Sequence, residues 1–361
     1  MKRLQKLFWF LYKILACYSL VVFALVYWTP SSHWISGFLM LSFPVVVALN
    51  LLSIAFWLAI KPGKAILPLF LTLLSAVFLP RTYSFSKKEV FPFEDKKDAG
   101  FTVMSYNVSS FTPPDRKADK EQAVKEMKAW VLASNADVLC FPEYVNYDPS
   151  KVFNLSRYLN DHGYKYKRLY KTDSFRPADY YGLAVLSKYP IVNQRDTIFE
   201  ARNGMILTDI KMGKDTVRIV SVHLHSMTLK LYTLVGQKEM AGIKRESKNT
   251  FSLLKKGFVQ RAIEFRALES WIDSSPYPVI VCGDFNETPY SYVYGKMNKL
   301  LTNAFEEKGS GFGYSYNHLP YFIRIDHQFY DKKRLDLNHF VTDRSVKYSD
   351  HYPLIGRYSF R

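Results

Sequence analysis

Val279-Ile-Val-Cys-Gly-Asp-Phe-Asn-Glu-Thr-Pro289 is the stretch on which the fold turns. Val279 to Cys282 is an apolar run of β-branched character, opened by Pro278 and closed by Gly283, which reads as a short buried strand. Asp284 and Asn286 follow at spacing two. That is the period of a strand, so both side chains leave the backbone on one side. A carboxylate beside an amide at the end of a buried strand costs desolvation energy unless the pair serves a site. An Asx-rich turn after a strand has the same composition, so this stretch alone leaves both readings open.

Other apolar runs end in the same way. Phe101 to Tyr106 leads to Asn107, Asp137 to Pro142 to Glu143, and Val217 to Val222 to His223. Ile323-Arg-Ile leads to Asp326, and Ser349-Asp350-His351 precedes the closing apolar segment. Polar endings repeated along one domain predict a rim where strand ends meet, which is where sheet proteins place their sites.

The chain resembles the endonuclease/exonuclease/phosphatase superfamily, whose members include deoxyribonuclease I-like nucleases, inositol-phosphate phosphatases and bacterial sphingomyelinases. The resemblance rests on Ser-Tyr-Asn107, Phe-Pro-Glu143, Tyr-Gly182-Leu-Ala-Val-Leu-Ser187-Lys-Tyr-Pro, Val-His223-Leu, Gly-Asp284-Phe-Asn286, Arg-Ile-Asp326 and Ser-Asp350-His351. These occur in the family's order over roughly residues 100 to 361; each is weak alone and the ordered set is specific. The resemblance implies a four-layer α/β sandwich, two packed mixed β-sheets flanked by helices. It also implies phosphoric-ester hydrolysis by metal-assisted attack of water on phosphorus. Members resembling the nucleases, phosphatases and sphingomyelinases carry histidine at position 223. The abasic-site repair branch has tyrosine there in a Tyr-x-Pro-Asn context, which this chain lacks, so DNA repair is disfavoured.

Such hydrolysis needs an attacking water, neutralisation of phosphoryl charge and a stabilised leaving group, and a hard divalent cation supplies the last two. Mg²⁺ prefers oxygen ligands, with Mn²⁺ as the alternative ion. Glu143 is the first expected ligand, with Asn107 beside it and Asp350 contributing. By resemblance, Asp284 orients or deprotonates the water, Asn286 holds the water or a phosphoryl oxygen, and His351 touches the phosphate. Asp326 fixes the His351 tautomer, and His223 completes the catalytic set. His225 faces the same side as His223 and reads as structural or substrate-contacting. Tyr314 and Tyr316, in a glycine-rich aromatic loop, are expected at the pocket rim or packed on the sheet.

At 361 residues, the chain has room for one large domain and an additional segment. The first 80 residues hold six basic residues and no acidic ones; the remainder carries about +11 of the total +17. A basic domain suits an anionic partner: nucleic acid, a phosphorylated metabolite or a lipid headgroup. The basic stretch Lys230 to Lys256 either borders the site mouth, meeting anionic lipid or steering substrate, or is a solvated helix face. Of the three cysteines, Cys17 lies in an apolar helix, and Cys140 and Cys282 lie in buried strands as free thiols. A Cys140–Cys282 disulfide is the alternative that spacing does not decide.

The amino-terminal region reads as three membrane spans at about 7–28, 35–60 and 64–80, since each is apolar on all sides. Three such runs exclude a cleaved signal peptide, which has one. Lys2, Arg3 and Lys6 precede the first span, Lys61 and Lys64 lie in the second loop, and the Thr29–His33 loop has no Lys or Arg. The positive-inside rule then puts the amino terminus in the cytoplasm and, after three crossings, the large domain outside a bacterial-type inner membrane. Residues 81–98 read as a linker and 99–361 as the catalytic domain.

Within that domain the spacing predicts helices at Asp119–Ala133, Val152–Leu159 and about Lys230–Trp271. Strands are expected at Tyr164–Leu169, Gly182–Ser187, Ile191–Ile198, Met205–Ile210 and Val217–Leu224, and later at Phe322–Phe329, Asn338–Thr342 and Tyr352–Tyr358. The leading expectation is a membrane-anchored phosphodiesterase, nuclease or phosphatase acting on a lipid headgroup, nucleic acid or soluble phosphate ester. The alternative is a non-catalytic membrane-bound module binding anionic lipid or polymer, which has no need of an Asp326–His351 pair. A transporter is disfavoured by too few spans and by the lack of any acidic residue within them.

Overall fold

The computed structural model describes residues 2–93, 100–115, 119–170, 179–200, 202–227, 236 and 239–361. Numbered along the chain, the strands are β1 Ser84–Phe85, β2 Phe101–Ser105, β3 Val138–Tyr147, β4 Tyr166–Leu169, β5 Asp179–Ser187, β6 Ile191–Ile198 and β7 Gly204–Met212. They continue as β8 Asp215–His223, β9 Val279–Asp284, β10 Thr302–Asn303, β11 Ser310–Gly311, β12 Asp326–Tyr330, β13 Leu335–Thr342 and β14 Leu354–Phe360. One six-stranded sheet runs β13-β14-β2-β3-β5-β4, and a second runs β10-β12-β9-β8-β7-β6. Both are mixed: β2 with β3 and β8 with β9 are parallel, and the other pairs are antiparallel.

Alternation along the strands sorts their side chains into layers. Val103, Cys140 and Val185 face Ile206, Ile219, Ile280 and Cys282 across the gap between the sheets. Their neighbours Met104, Leu139 and Leu186 pack outward on Val124, Met127 and Val131 of the helix Lys120–Ser134. Val220, Val222 and Val281 pack outward on Phe265, Leu268 and Trp271 of the long helix Met240–Asp273. The result is helix, sheet, sheet, helix: the expected four-layer sandwich. Cys140 and Cys282 are free, buried thiols. Contact with the Cys282 thiol, together with burial, holds the Cys140 thiol well above its ordinary value.

Among the described residues, three helical segments are long and apolar enough to cross a membrane: Lys2–Trp28, Phe43–Ile60 and Pro62–Thr82. The second expected span is divided. Trp34–Leu41 is a separate helix, and Phe43–Ile60 begins anew after Ser42 with Pro44 in its first turn. Proline has no N–H to donate and its ring crowds the preceding turn, so a new helix starts there. The first two of the three segments, Lys2–Trp28 and Phe43–Ile60, are joined by the Tyr12 hydroxyl donating to Asn50 Oδ1 at 2.8 Å and Asn50 Nδ2 donating to Ser19 Oγ at 2.9 Å.

The domain is seated on one end of this bundle. Lys299 Nζ donates to Trp28 O at 2.6 Å, and the Tyr290 ring stacks on Phe43 at 4.4 Å. The Tyr290 and Thr82 hydroxyls are 2.8 Å apart, and the Arg324 guanidinium donates to Arg81 O. Lys64 lies over Trp9 and Trp57 at the opposite end. The helix Trp34–Leu41 lies against Met240–Asp273, with Phe38 stacked on Phe251 at 4.5 Å. A Cβ on Gly37 would fall 2.6 Å from the Phe258 ring, so the close approach requires glycine.

Several local expectations differ from the structure. The linker is docked over part of its length: β1 pairs with β11, and Glu89 Oε2 accepts from Phe340 N at 3.2 Å. Residues 94–98 of that linker lie outside the described residues. The short helix is Leu155–Asp161, started by Asn154, whose side chain accepts from Arg157 N. The long helix is described from Met240, and most of 230–238 lies outside the described residues, Lys230 and Lys238 included. Phe322–Ile325 is not strand; β12 begins at Asp326.

Candidate active site

Strand register brings three of the expected residues level. His223 pairs with Asp284 across parallel β8 and β9, and Asp326 pairs with Asp284 across antiparallel β12. Asp326 therefore begins its strand rather than ending one, and the antiparallel direction puts it on the same rim. Gly283 makes the approach possible. Its φ is 143°, and a Cβ there would stand 2.0 Å from Val222 O.

The other sheet supplies the opposite wall. Tyr106 N donates to Cys140 O at 2.9 Å and Val108 N to Pro142 O at 3.1 Å, which holds Asn107 abreast of Glu143. Glu143 does not end β3, which continues to Tyr147. It sits where the register with β5 shifts between Phe141 and Tyr144, with φ of 52°. Such a bulge re-aims a side chain, here toward the gap between the sheets. Ser349 Oγ donates to Asn107 O at 2.7 Å and so carries Asp350 and His351 to the same end.

The side chains converge on Asp284, which is buried. Asp284 Oδ2 accepts from Asn107 Nδ2 at 3.0 Å, and Oδ1 accepts from Asn286 N at 2.8 Å. His223 Nε2 stands 3.7 Å and His351 Nε2 3.8 Å from Oδ2, and His223 Nε2 is 3.8 Å from Glu143 Oε1. Burial pushes the Asp284 carboxyl up to about 6, with the Asp326 charge adding to it and the two histidines opposing.

His351 Nδ1 lies 2.7 Å from Asp326 Oδ2. Burial alone would lower the imidazole, but the Asp326 carboxylate, with Asp284 and Asp350 behind it, reverses that and holds it well above its ordinary value. With Nδ1 engaged, Nε2 faces the cavity. His223 Nδ1 lies 3.2 Å from Arg202 O; a carbonyl only accepts, so Nδ1 carries the hydrogen. Its Nε2 is buried and, among the described residues, has no hydrogen-bond partner.

Asp284, Asp326 and His351 offer ligand atoms within 4.8 Å of one another. The short His351–Asp326 contact makes two of these three a hydrogen-bonded pair. The oxygen donors left facing the cavity are those of Glu143, Asp284 and Asp350. Three carboxylates fit a hard divalent cation, and the His223 Nε2, without a hydrogen-bond partner among the described residues and aimed at two of them, marks the same spot. Asn107 as placed presents its nitrogen to Asp284 and Glu143 while its oxygen accepts from Ser109 N. Ligation by that oxygen requires the amide turned over. Asn286 gives one amide hydrogen to Leu224 O at 3.1 Å and also lines the cavity.

Two hollows meet at Glu143. One, of about 260 Å³, is walled by Asp284, His351, Tyr316, Leu319 and Ile323; the other, of about 570 Å³, by His223, His225, Arg202, Leu253 and Lys256. Tyr316 stands at the rim with its ring 5.0 Å from His351, while Tyr314 stacks on Phe312. His225 Nδ1 is 3.5 Å from Glu200 Oε2, and its backbone N donates to Glu264. Burial lowers the His225 imidazole and raises the Glu264 carboxyl to about 7. Arg202 was not singled out in the sequence. It lies over the Tyr181 ring at 4.3 Å with Nη1 3.5 Å from Glu143 Oε2, and only its place in the β6–β7 connection on this rim signals it. Ser187 is at the far end of β5, where its Oγ accepts from Tyr189 N at 3.0 Å.

A family model described as endonuclease/exonuclease/phosphatase family matches residues 104–351. The chain therefore belongs to the endonuclease/exonuclease/phosphatase family. A second model, described as a domain of unknown function (DUF8431), matches residues 5–82. No curated protein sequence matches the chain. Among solved structures, the human Nocturnin catalytic domain with bound sulfate is 18% identical with a TM-score of 0.51, covering 73% of this chain and 95% of that one. An endonuclease/exonuclease/phosphatase from Beutenbergia cavernae is 17% identical with a TM-score of 0.50, covering 72% of each. D. rerio TDP2 complexed with single-strand DNA product is 14% identical with a TM-score of 0.50, covering 73% of this chain and all of that one. At these identities the likeness is one of fold.

Proposed function

We propose that this protein is a membrane-anchored, divalent-metal-dependent phosphoric-ester hydrolase. The observation that carries the reading is the convergence of Asn107, Glu143, His223, Asp284, Asp326 and His351 from both sheets on one small hollow. A binding module gains nothing from a buried Asp–His pair with its second nitrogen aimed at another carboxylate.

Glu143 and Asp350, with Asn107 beside them, would hold Mg²⁺ or Mn²⁺. When bound, the ion supplies charge neutralisation on the phosphoryl oxygens and on the leaving oxygen. Asp284, raised to about 6, is tuned near neutrality and accepts a proton from the attacking water. Asn286 orients that water with the amide hydrogen that Leu224 leaves over. His351, held protonated by Asp326, donates from Nε2 to a phosphoryl oxygen as negative charge grows there. His223, anchored through Nδ1, closes the opposite side of the hollow.

The helices Lys2–Trp28, Phe43–Ile60 and Pro62–Thr82 serve as the anchor. Lys2, Arg3, Lys6, Lys61 and Lys64 gather at one end of the bundle, and the domain is seated at the other, beside a loop free of Lys and Arg. That polarity supports a cytoplasmic amino terminus and an extracytoplasmic domain. A Lys88→Cys variant should react with a membrane-impermeant maleimide in intact cells made permeable only at their outer layer. Labelling solely after lysis would reverse the orientation.

The activity test is release of nitrophenol from bis(p-nitrophenyl) phosphate by the purified full chain. Turnover should require Mg²⁺ or Mn²⁺, stop with chelator, vanish in Asp284→Ala and fall to a small residual rate in His351→Ala. Metal-independent turnover, or near-normal rates in either variant, would defeat the reading.

A further inference from the structure

Resting on that function, we infer that the active-site mouth faces the headgroup layer of the membrane holding the protein's own helices, and that its substrate is a membrane lipid bearing a phosphoester headgroup.

The first support is distance along the chain. Tyr290 is stacked on Phe43 and hydrogen-bonded to Thr82, at the ends of the second and third spans. It is four residues from Asn286. Four residues reach at most about 14 Å, so the reacting centre cannot lie far from the bundle's end. Asp326 is tied by a second route, since Arg324, two residues away, donates to Arg81 O in the last turn of the third span.

The second support is the rim. The segment Phe312–Ile323 is strapped to the chain leaving the third span. β1 pairs with β11 next to it, and the Tyr83 and Phe312 rings meet at 5.0 Å. From this strap Tyr321 and Phe322 project with 58% and 66% of their surface exposed, beside exposed Phe312 and Leu319. Large apolar side chains clustered on a rim mark an interaction surface. Leu319, Pro320 and Ile323 of the same segment also wall the hollow that contains Asp284 and His351. An apolar wall against the reacting centre suits the glycerol or acyl portion of a lipid. A sugar–phosphate polymer calls for a continuous cationic groove.

The other side of the mouth is built from the same materials. Leu253 and Lys256 of the long helix wall the larger hollow, beside His223 and Glu143. On the same stretch of that helix Phe251 and Phe258 pack on Phe38, and Lys255 lies over Trp34, Phe38 and Trp34 both belonging to the short helix between the first two spans. The helix goes on with exposed Lys244, Lys248 and Lys255 interleaved with half-exposed Phe251 and Val259. A helix that mixes lysines and large apolar side chains on its outer surface suits an interface of anionic headgroups. Both rims thus end on the helices that cross the bilayer, and the mouth lies between them.

The test uses the purified full chain reconstituted in phosphatidylcholine vesicles containing phosphatidylglycerol, phosphatidylethanolamine or phosphatidylinositol, followed by phosphorus NMR. Parallel arms use single-stranded DNA, RNA and bis(p-nitrophenyl) phosphate. Hydrolysis of one of the lipids is expected. Tyr321→Ser with Phe322→Ser should slow it at least about ten-fold while leaving the small diester rate unchanged. Lys244→Glu with Lys248→Glu should slow hydrolysis in phosphatidylglycerol vesicles selectively. Turnover of the small diester with every lipid untouched, or preference for DNA or RNA, overturns the inference and leaves the hydrolase reading standing. Rim variants that slow lipid and small diester equally also overturn it. Failure on all substrates, the small diester included, sinks the hydrolase reading itself.

Discussion

Replacing Asp326 by asparagine tests a residue whose main effect on the reaction passes through its neighbour His351. The His351 Nδ1–Asp326 Oδ2 contact of 2.7 Å is buried and charge-assisted. Bonds of that kind contribute about 1.5–3 kcal/mol, which corresponds to about 10- to 150-fold in rate if the bond matters at the transition state. Asparagine keeps the shape but offers no carboxylate to hold the imidazolium. Its effect should therefore largely disappear when the imidazole is absent, leaving only the smaller influence of its charge on Asp284. The assay is nitrophenol release by the purified full chain for the parent, Asp326→Asn, His351→Ala and the double variant. Asp326→Asn should lower kcat by the stated factor with little change in KM, and the double variant should come close to His351→Ala alone. If Asp326→Asn multiplies the loss in the His351→Ala background by its full single-variant factor, Asp326 acts independently and the positioning argument is wrong.

Glu143→Gln should shift the Mg²⁺ titration of activity by more than about ten-fold, and an unmoved titration removes Glu143 as a ligand. Gly283→Ala places a methyl 2.0 Å from Val222 O at a φ of 143°. It should destabilise the domain by more than about 2 kcal/mol, read as a lowered Tm; an unchanged Tm contradicts the geometry. His327 is buried, with Nε2 2.8 Å from Glu287 O, and burial lowers it to about 3. The unfolded chain takes up that proton first, so the stability His327 contributes is complete above pH 6.5 and drains away as pH falls toward 3, at up to about 1.4 kcal/mol per pH unit. His327→Gln keeps a donor without the titration and should flatten the acid limb of Tm against pH; a limb of unchanged slope assigns it to other groups.

The site was legible because strands ending in polar residues report on themselves: Asn107, His223 and Asp284 each close a short, largely apolar run. Glu143 was found for the right type but the wrong place. The β3 bulge that aims it depends on register with β5, which local sequence does not encode. The apolar Phe322, Ile323 and Ile325 predict a strand running into Asp326, yet Ile325 N donates to Ser315 Oγ rather than to a ladder. The four layers came from the family resemblance, and the structure shows why they hold: the central strands bury one face on the other sheet and one on a helix. The docking of residues 84–89 and the union of the Trp34–Leu41 helix with Met240–Asp273 depend on contacts between segments more than 200 residues apart. Arg202 carried no sequence signal, since its role comes only from facing Glu143 and Tyr181 in space.

The most direct measurement is hydrolysis of a phosphodiester in ¹⁸O-enriched water with Mg²⁺, read by phosphorus NMR and mass spectrometry of both products. The account predicts one solvent oxygen on the phosphorus product, none in the released alcohol, and no product from Asp284→Ala. An ¹⁸O-labelled alcohol, an unlabelled phosphorus product, or no turnover by the parent protein with Mg²⁺ or Mn²⁺ would contradict water attack on phosphorus at this centre.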